Sequence, residues 1–192
     1  LRIVANKELD DFGFLSGMDR LKSLNISDCG RFDLSYINPA APLYSVNVNC
    51  MGNISGISAF PLLEYLYLGF APGDAQRDFS GLRDLKNLKD MNIDGFTVSD
   101  IQYLSAPLED MNIYGSISDL SALEAYEYKY DIKTVILRKS DASGIGELAA
   151  LFFSSPADVR IRIDASSCTY DKDALEALKS KYENVKIEVY NN

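Results

Sequence analysis

The sequence predicts an α/β solenoid, a stack of short parallel strands, one per repeat, each followed by a return segment on the other side. Three observations predict it. A short apolar signature recurs as "LKSLNI" at Leu21, "LYSVNV" at Leu43, "LEYLYL" at Leu63, "LKDMNI" at Leu88 and "LEDMNI" at Leu108. Weaker copies follow around Ile132, Val135 and Leu137, then Val159 with Ile161, then Val185 with Ile187. First positions at 21, 43, 63, 88, 108, 132, 156 and 182 are separated by 22, 20, 25, 20, 24, 24 and 26 residues, so the period is that of a solenoid repeat.

Within each signature the first, fourth and sixth positions are apolar. Strand side chains alternate, so the fourth and sixth share a buried face while the third, fifth and seventh face solvent. Stacking such strands in parallel pairs their backbone groups and buries an apolar column that no single repeat could bury alone. An additional N-terminal rung is expected at Leu1 with Val4.

The return segments carry apolar residues at i, i+3 and i+6: Ile54, Ile57, Phe60; Phe79, Leu82, Leu85; Val98, Ile101, Leu104; Ile117, Leu120, Leu123. That spacing fits a turn or so of tight helix. Further on, "DASGIGELAALFF" (141–153) and "DKDALEALKSKY" (171–182) read as α-helices opened by Asp or Ser caps. The last strand, "VKIEVY" from Val185, alternates strictly, with Lys186 and Glu188 outward on an edge that charge makes less adhesive. The organisation expected is one domain over 1–192: an N-terminal partial or capping repeat (1–20), regular repeats (21–137), and longer helix-containing repeats with a C-terminal cap (138–192).

These segments resemble the leucine-rich repeat family, and "VSDIQYLSAPLEDMNI" and "ISDLSALEAYEY" look like the bacterial internalin-type repeat with its "I-x-D-[IL]-x-x-L" return. The resemblance implies a right-handed horseshoe or arc, parallel strands on the concave face, and short 3-10 turns then α-helices on the convex face. It also implies partner binding on the concave face and a bacterial surface or secreted protein. One departure concerns the ninth position, where the family's usual Asn or Cys survives as Cys29 while Met51, Ala71, Phe96 and Ser116 stand elsewhere. The asparagine ladder that satisfies turn backbone is therefore expected to be missing.

The outward positions define the candidate site. The fifth runs Asn25, Asn47, Tyr67, Asn92, Asn112; the third runs Ser23, Ser45, Tyr65, Asp90, Asp110; the seventh runs Ser27, Asn49, Gly69, Asp94, Tyr114. Asparagine is depleted in strands, so its column reads either as a recognition stripe or as a structural amide ladder. The candidate partner-binding residues are Asn25, Asn47, Tyr65, Tyr67, Asp90, Asn92, Asp94, Asp110, Asn112 and Tyr114. A protein partner with a basic or polar surface suits them, and so does a carbohydrate. Calcium held by Asp90, Asp94 and Asp110 would need six to eight oxygens; no calcium-loop spacing supports it, and a solvated acidic face is the expectation. The row Tyr126, Tyr128, Tyr130 reads as cover for a widened repeat junction, with a lateral binding edge as the alternative.

Composition narrows the function classes. With 28 acidic and 19 basic residues the net charge is -9, which disfavours nucleic acid and anionic membrane surfaces. No apolar run is long enough to cross a bilayer as a helix. The absence of histidine excludes Ser-His and Cys-His dyads and most catalytic zinc sites. Gly144 and Gly146 lack the rest of a phosphate loop, and Asp171, Asp173 and Glu176 complement a helix dipole without needing a metal. No enzyme and no cofactor are expected. Cys29, Cys50 and Cys168 are odd in number and have no CxxC spacing, so they read as small buried hydrophobes. A start at Leu1 rather than Met reads as processing or excision from a precursor. The competing functions are an intracellular acidic inhibitor of a basic target, whose capture the charge would accelerate, and a structural spacer in a larger adhesin.

Overall fold

A computed structural model describes residues 1–4, 8–71 and 77–191. Residues 5–7 of the expected N-terminal segment, 72–76 of the regular repeats and Asn192 lie outside the described residues. The strands are β1 (Arg2–Val4), β2 (Ser23–Ser27), β3 (Phe32–Asp33), β4 (Ser45–Asn53), β5 (Tyr65–Phe70), β6 (Asp90–Ile93), β7 (Asp110–Tyr114), β8 (Thr134–Arg138), β9 (Val159–Asp164) and β10 (Val185–Tyr190). They form an open parallel sheet in the order β1-β2-β4-β5-β6-β7-β8-β9-β10, with β3 on β4. The fold is α/β, and among the described residues no helix is long and apolar enough to cross a membrane.

The chain divides into two compact units, Leu1–Asp94 with Tyr103–Ala106, and Gly95–Gln102 with Pro107–Asn192. In the first unit the register follows the signature: Leu24, Val46, Leu66 and Met91 share one column, and Ile26, Val48, Leu68 and Ile93 the next. All eight are buried. Burying each such side chain contributes roughly 1.5–3 kcal/mol, which is why the apolar columns dictate the pairing. Ile54, Ile57, Phe60, Phe79, Leu82 and Leu85 of the return segments are buried as well, on 3-10 turns at Ile57–Ala59 and Phe79–Asp84. Phe12, Phe32 and Tyr36 form an aromatic cluster, with Phe12 edge-on to Phe32 at 5.0 Å.

In the second unit Met111, Val135 and Ile161 share a column, as do Ile113, Leu137 and Ile163. The return segments lengthen to α1 (Ser121–Ala125), α2 (Ile145–Phe153) and α3 (Lys172–Lys181). The expected cap opens α3 directly, whereas Asp141 caps a 3-10 turn (Ala142–Gly144) ahead of α2, which itself starts from Gly144 without a side-chain cap. The Asp171 carboxylate accepts from the N–H groups of Asp173 (2.9 Å) and Ala174 (3.1 Å), and Asp141 accepts from Ser143 at 3.0 Å. Gly144 is required sterically, because a Cβ there would stand 2.3 Å from the Ile117 carbonyl oxygen.

Two phase assignments differ from expectation. In β9 and β10 the residues aligned with Val135 and Leu137 are Ile161 and Ile163, then Ile187 and Val189. These two rungs therefore sit two residues later than the sequence phase, with Val159 and Val185 buried ahead of them. A slip of two keeps the same face inward, so the apolar pattern alone does not resist it. At the N-terminus, Ile3 pairs with Ile26 and takes the inward phase, while Leu1 and Val4 are 45% and 44% exposed.

Short side chains satisfy part of the turn backbone. Ser140, buried, directs its hydroxyl to the carbonyls of Arg138 (2.8 Å) and Ile113 (3.2 Å). The Cys168 thiol donates to Leu137 O at 3.2 Å, reaching the same position one rung on. In the first unit, Asn49 Oδ1 accepts from the Asp28 N–H at 3.0 Å, where Asp28 has a positive φ of 54°. These bonds satisfy carbonyls and amides that the turns would otherwise bury unpaired.

Candidate binding face

The third- and fifth-position candidates of the first unit sit on the face opposite the apolar columns. On the first unit the fifth-position column runs Asn25, Asn47, Tyr67, Asn92, and the third-position column Ser23, Ser45, Tyr65, Asp90, each in register from strand to strand. Neighbouring members are about 4.8 Å apart along the ladder. Asn47 and Tyr65 are exposed, Tyr65 by 42%, while Asn25, Tyr67, Asp90, Asn92 and Asp94 are half-buried. The Tyr67 hydroxyl donates to the Asp90 carboxylate, which fixes the ring against the next rung. Asp94 follows β6, and its backbone N–H bonds Leu68 O at 2.8 Å. Beyond the columns, Lys89 and Glu64 pair at 2.8 Å. The result is an outward surface of small polar groups from Ser23 to Asn47, interrupted by two tyrosines and followed by carboxylate and amide. Its chemistry is hydrogen bonding with amphipathic aromatic contact, the kind that supplies interface anchors.

The second unit departs from the sequence picture. Asp110 is half-buried, but Asn112 is 4% and Tyr114 9% exposed. Arg138, on the neighbouring strand, lays its guanidinium over this place and donates from Nε to Asn112 Oδ1 at 2.8 Å. Lys139 stands over the Tyr114 ring at 5.8 Å. What this unit presents outward is therefore Ile136 and a group of arginines. Arg138 reaches Asp164 at 3.5 Å, Arg162 lies 4.4 Å over the Tyr190 ring, and Arg160 and Arg162 flank Glu188 at 3.3 and 3.5 Å. Hydrogen bonds from Ser166 hold the Asp164 carboxyl below its ordinary range. Arg138, Arg160 and Arg162 are absent from the sequence-derived candidates. Carrying the third, fifth and seventh positions through to β8 and β9 would have found them.

The tyrosine row separates. Tyr126 is core: its oxygen accepts from the Leu108 N–H at 3.4 Å, and burial pushes the phenol up to about 12. Tyr128 meets it edge-on at 5.9 Å, and Tyr130 is exposed beside Lys129. Among the described residues no group of three or more acids or cysteines is placed to hold a metal ion.

Compared with protein-family models and with curated proteins, the chain matches none.

Proposed function

We propose that this chain is a leucine-rich repeat module of the bacterial internalin type that binds a partner protein and catalyses nothing. The observation that carries the reading is the in-register outward surface of the first unit, where Tyr65 and Tyr67 stand among Asn47, Asp90 and Asn92. Backbone pairing and an apolar underside hold these side chains at fixed spacing, so a partner meets them preorganised, with little ordering entropy left to lose on binding. Tyrosine supplies large contact area with few rotatable bonds. A secreted or surface-exposed location follows from the same likeness of the return segments and is part of the proposal.

The test compares wild type with Tyr65→Ala and the Tyr65→Ala/Tyr67→Ala pair in unbiased capture of proteins, alongside a glycan array. A protein bound by wild type should lose at least about tenfold in affinity to the double variant, the scale of a hot-spot tyrosine. Tyr65→Ala should leave the melting temperature within about 2 °C, since surface substitutions act within about 0.5 kcal/mol. Binding that survives both substitutions refutes the face; selective glycan binding with no protein captured refutes the protein partner.

A further inference from the structure

Two of the three cysteines are brought together by an irregularity in the first unit. Ile26 stands opposite Val48, and the next pair along is Phe32 opposite Met51. Five residues, 27–31, therefore face only Asn49 and Cys50, and Cys29 is the middle one of the five. The bulge is pinned on both sides of Cys29. Asp28 turns the chain with φ 54° and bonds Asn49 Oδ1, while the Gly30 N–H bonds Leu9 O at 2.9 Å and the Arg31 guanidinium reaches Gly52 O at 3.3 Å. Cys29 also lies close enough to Cys50 to act on its thiol electrostatically. A disulfide needs Cα atoms roughly 4.4–6.8 Å apart, and the register sets the bulge that carries Cys29 directly against the two residues that include Cys50.

We infer that Cys29 and Cys50 form a thiol–disulfide pair, closed by a low-molecular-weight disulfide oxidant such as oxidised glutathione. The two thiols differ in access. Cys29 is half-buried with its Sγ 3.3 Å from Ser27 O, whereas Cys50 is 6% exposed and its thiol is pushed up by burial. Cys29 therefore meets the oxidant first. Its thiolate attacks one sulfur of oxidised glutathione and expels one glutathione thiolate, which takes up a proton. Cys50, giving its proton to solvent, then attacks Cys29 Sγ and expels the second glutathione. The sum is two protein thiols and one oxidised glutathione giving one protein disulfide and two glutathiones. Cys168 belongs to the other unit, where its thiol serves the turn ladder, and it takes no part. An odd cysteine count, which argues against a disulfide framework, is compatible with one pair and one structural thiol.

The experiment incubates the folded full chain with oxidised glutathione and follows free thiols, intact mass and alkylated peptide maps. Wild type should fall from three free thiols to one, lose two hydrogens, carry no glutathione and show a Cys29–Cys50 cross-linked peptide. Cys168→Ser should form the same link. Cys29→Ser, at a half-exposed position, should form none, and Cys50→Ser should trap glutathione on Cys29. Closing a loop over residues 30–49 should raise the melting temperature of oxidised over reduced protein by roughly 5 °C or more. Retention of all three thiols, a persistent glutathione adduct on wild-type Cys29, or a link involving Cys168 would each overturn the pairing.

Discussion

Ser140→Ala tests whether the turns of the second unit depend on side-chain bonds to strand carbonyls. The hydroxyl is 3% exposed and serves the Ile113 and Arg138 carbonyls at 3.2 and 2.8 Å. Alanine fits the same space, so the change removes a donor without leaving a large cavity. A buried acceptor left unpaired costs about 1–3 kcal/mol. For a chain of this size each kcal/mol shifts the midpoint by about 2–4 °C, so a loss near 2 kcal/mol lowers the melting temperature by roughly 4–8 °C. Ser140→Cys should recover part of the loss, because the Cys168 thiol makes the equivalent bond to Leu137 O. The control is Ser180→Ala on the exposed side of α3, expected within about 0.5 kcal/mol. Urea unfolding followed by far-UV circular dichroism measures all three. Equal stability of Ser140→Ala and wild type would refute the claim that these turns rely on a Ser/Cys ladder.

Other outcomes follow from the same geometry. Gly144→Ala drives a Cβ to within 2.3 Å of the Ile117 carbonyl oxygen and should cost about 1–3 kcal/mol or more, read as a fall in urea midpoint. Asp171→Ala removes the cap of α3 and should cost about 1 kcal/mol, whereas Asp171→Asn retains most of it. Tyr126 gives a pH dependence. Its phenol lies at about 12 folded against 10.0 unfolded, so its contribution is fully present below pH 10 and is lost as pH rises through 12. That two-unit gap corresponds to roughly 2–3 kcal/mol. Tyr126→Phe should flatten the decline between pH 10 and 12 in midpoints followed by circular dichroism; an unchanged decline would assign it to other groups.

How much was legible in the sequence depended on the period of the signal. Strand faces were readable because alternation survives a slip of two residues, so Asn25, Asn47, Tyr65, Tyr67, Asp90 and Asn92 lie on the face opposite the apolar columns, whereas Asn112 and Tyr114 are buried. Register at the C-terminal end was not, because Val159, Ile161 and Ile163 offer three apolar residues of one parity, and pairing to Val135 and Leu137 chooses between them. The cap at Asp171 was readable because a short carboxylate before a helix has a local job, while Asp141 serves a 3-10 turn ahead of α2. The covering of Asn112 was not, because it depends on a long arginine reaching across from the next strand. Ser140 was hidden for a related reason: a family pattern calls for asparagine, and serine or cysteine can supply the donor when the turn runs closer. The amide column and the tyrosines were visible as residue types, but only the fold separates exposed Tyr65 from buried Tyr114.

The central claim is that the outward strand face of the first unit meets a protein partner. Site-specific photo-crosslinking tests it most directly, with benzoylphenylalanine replacing Tyr65 and, as the comparison, the exposed Glu147 of α2. Irradiation in the native medium should give a discrete protein adduct from position 65, competed by unlabelled wild type but not by the Tyr65→Ala/Tyr67→Ala variant, and none from position 147. Adducts of equal yield at both positions, or no adduct at 65 from a folded protein, would contradict the account.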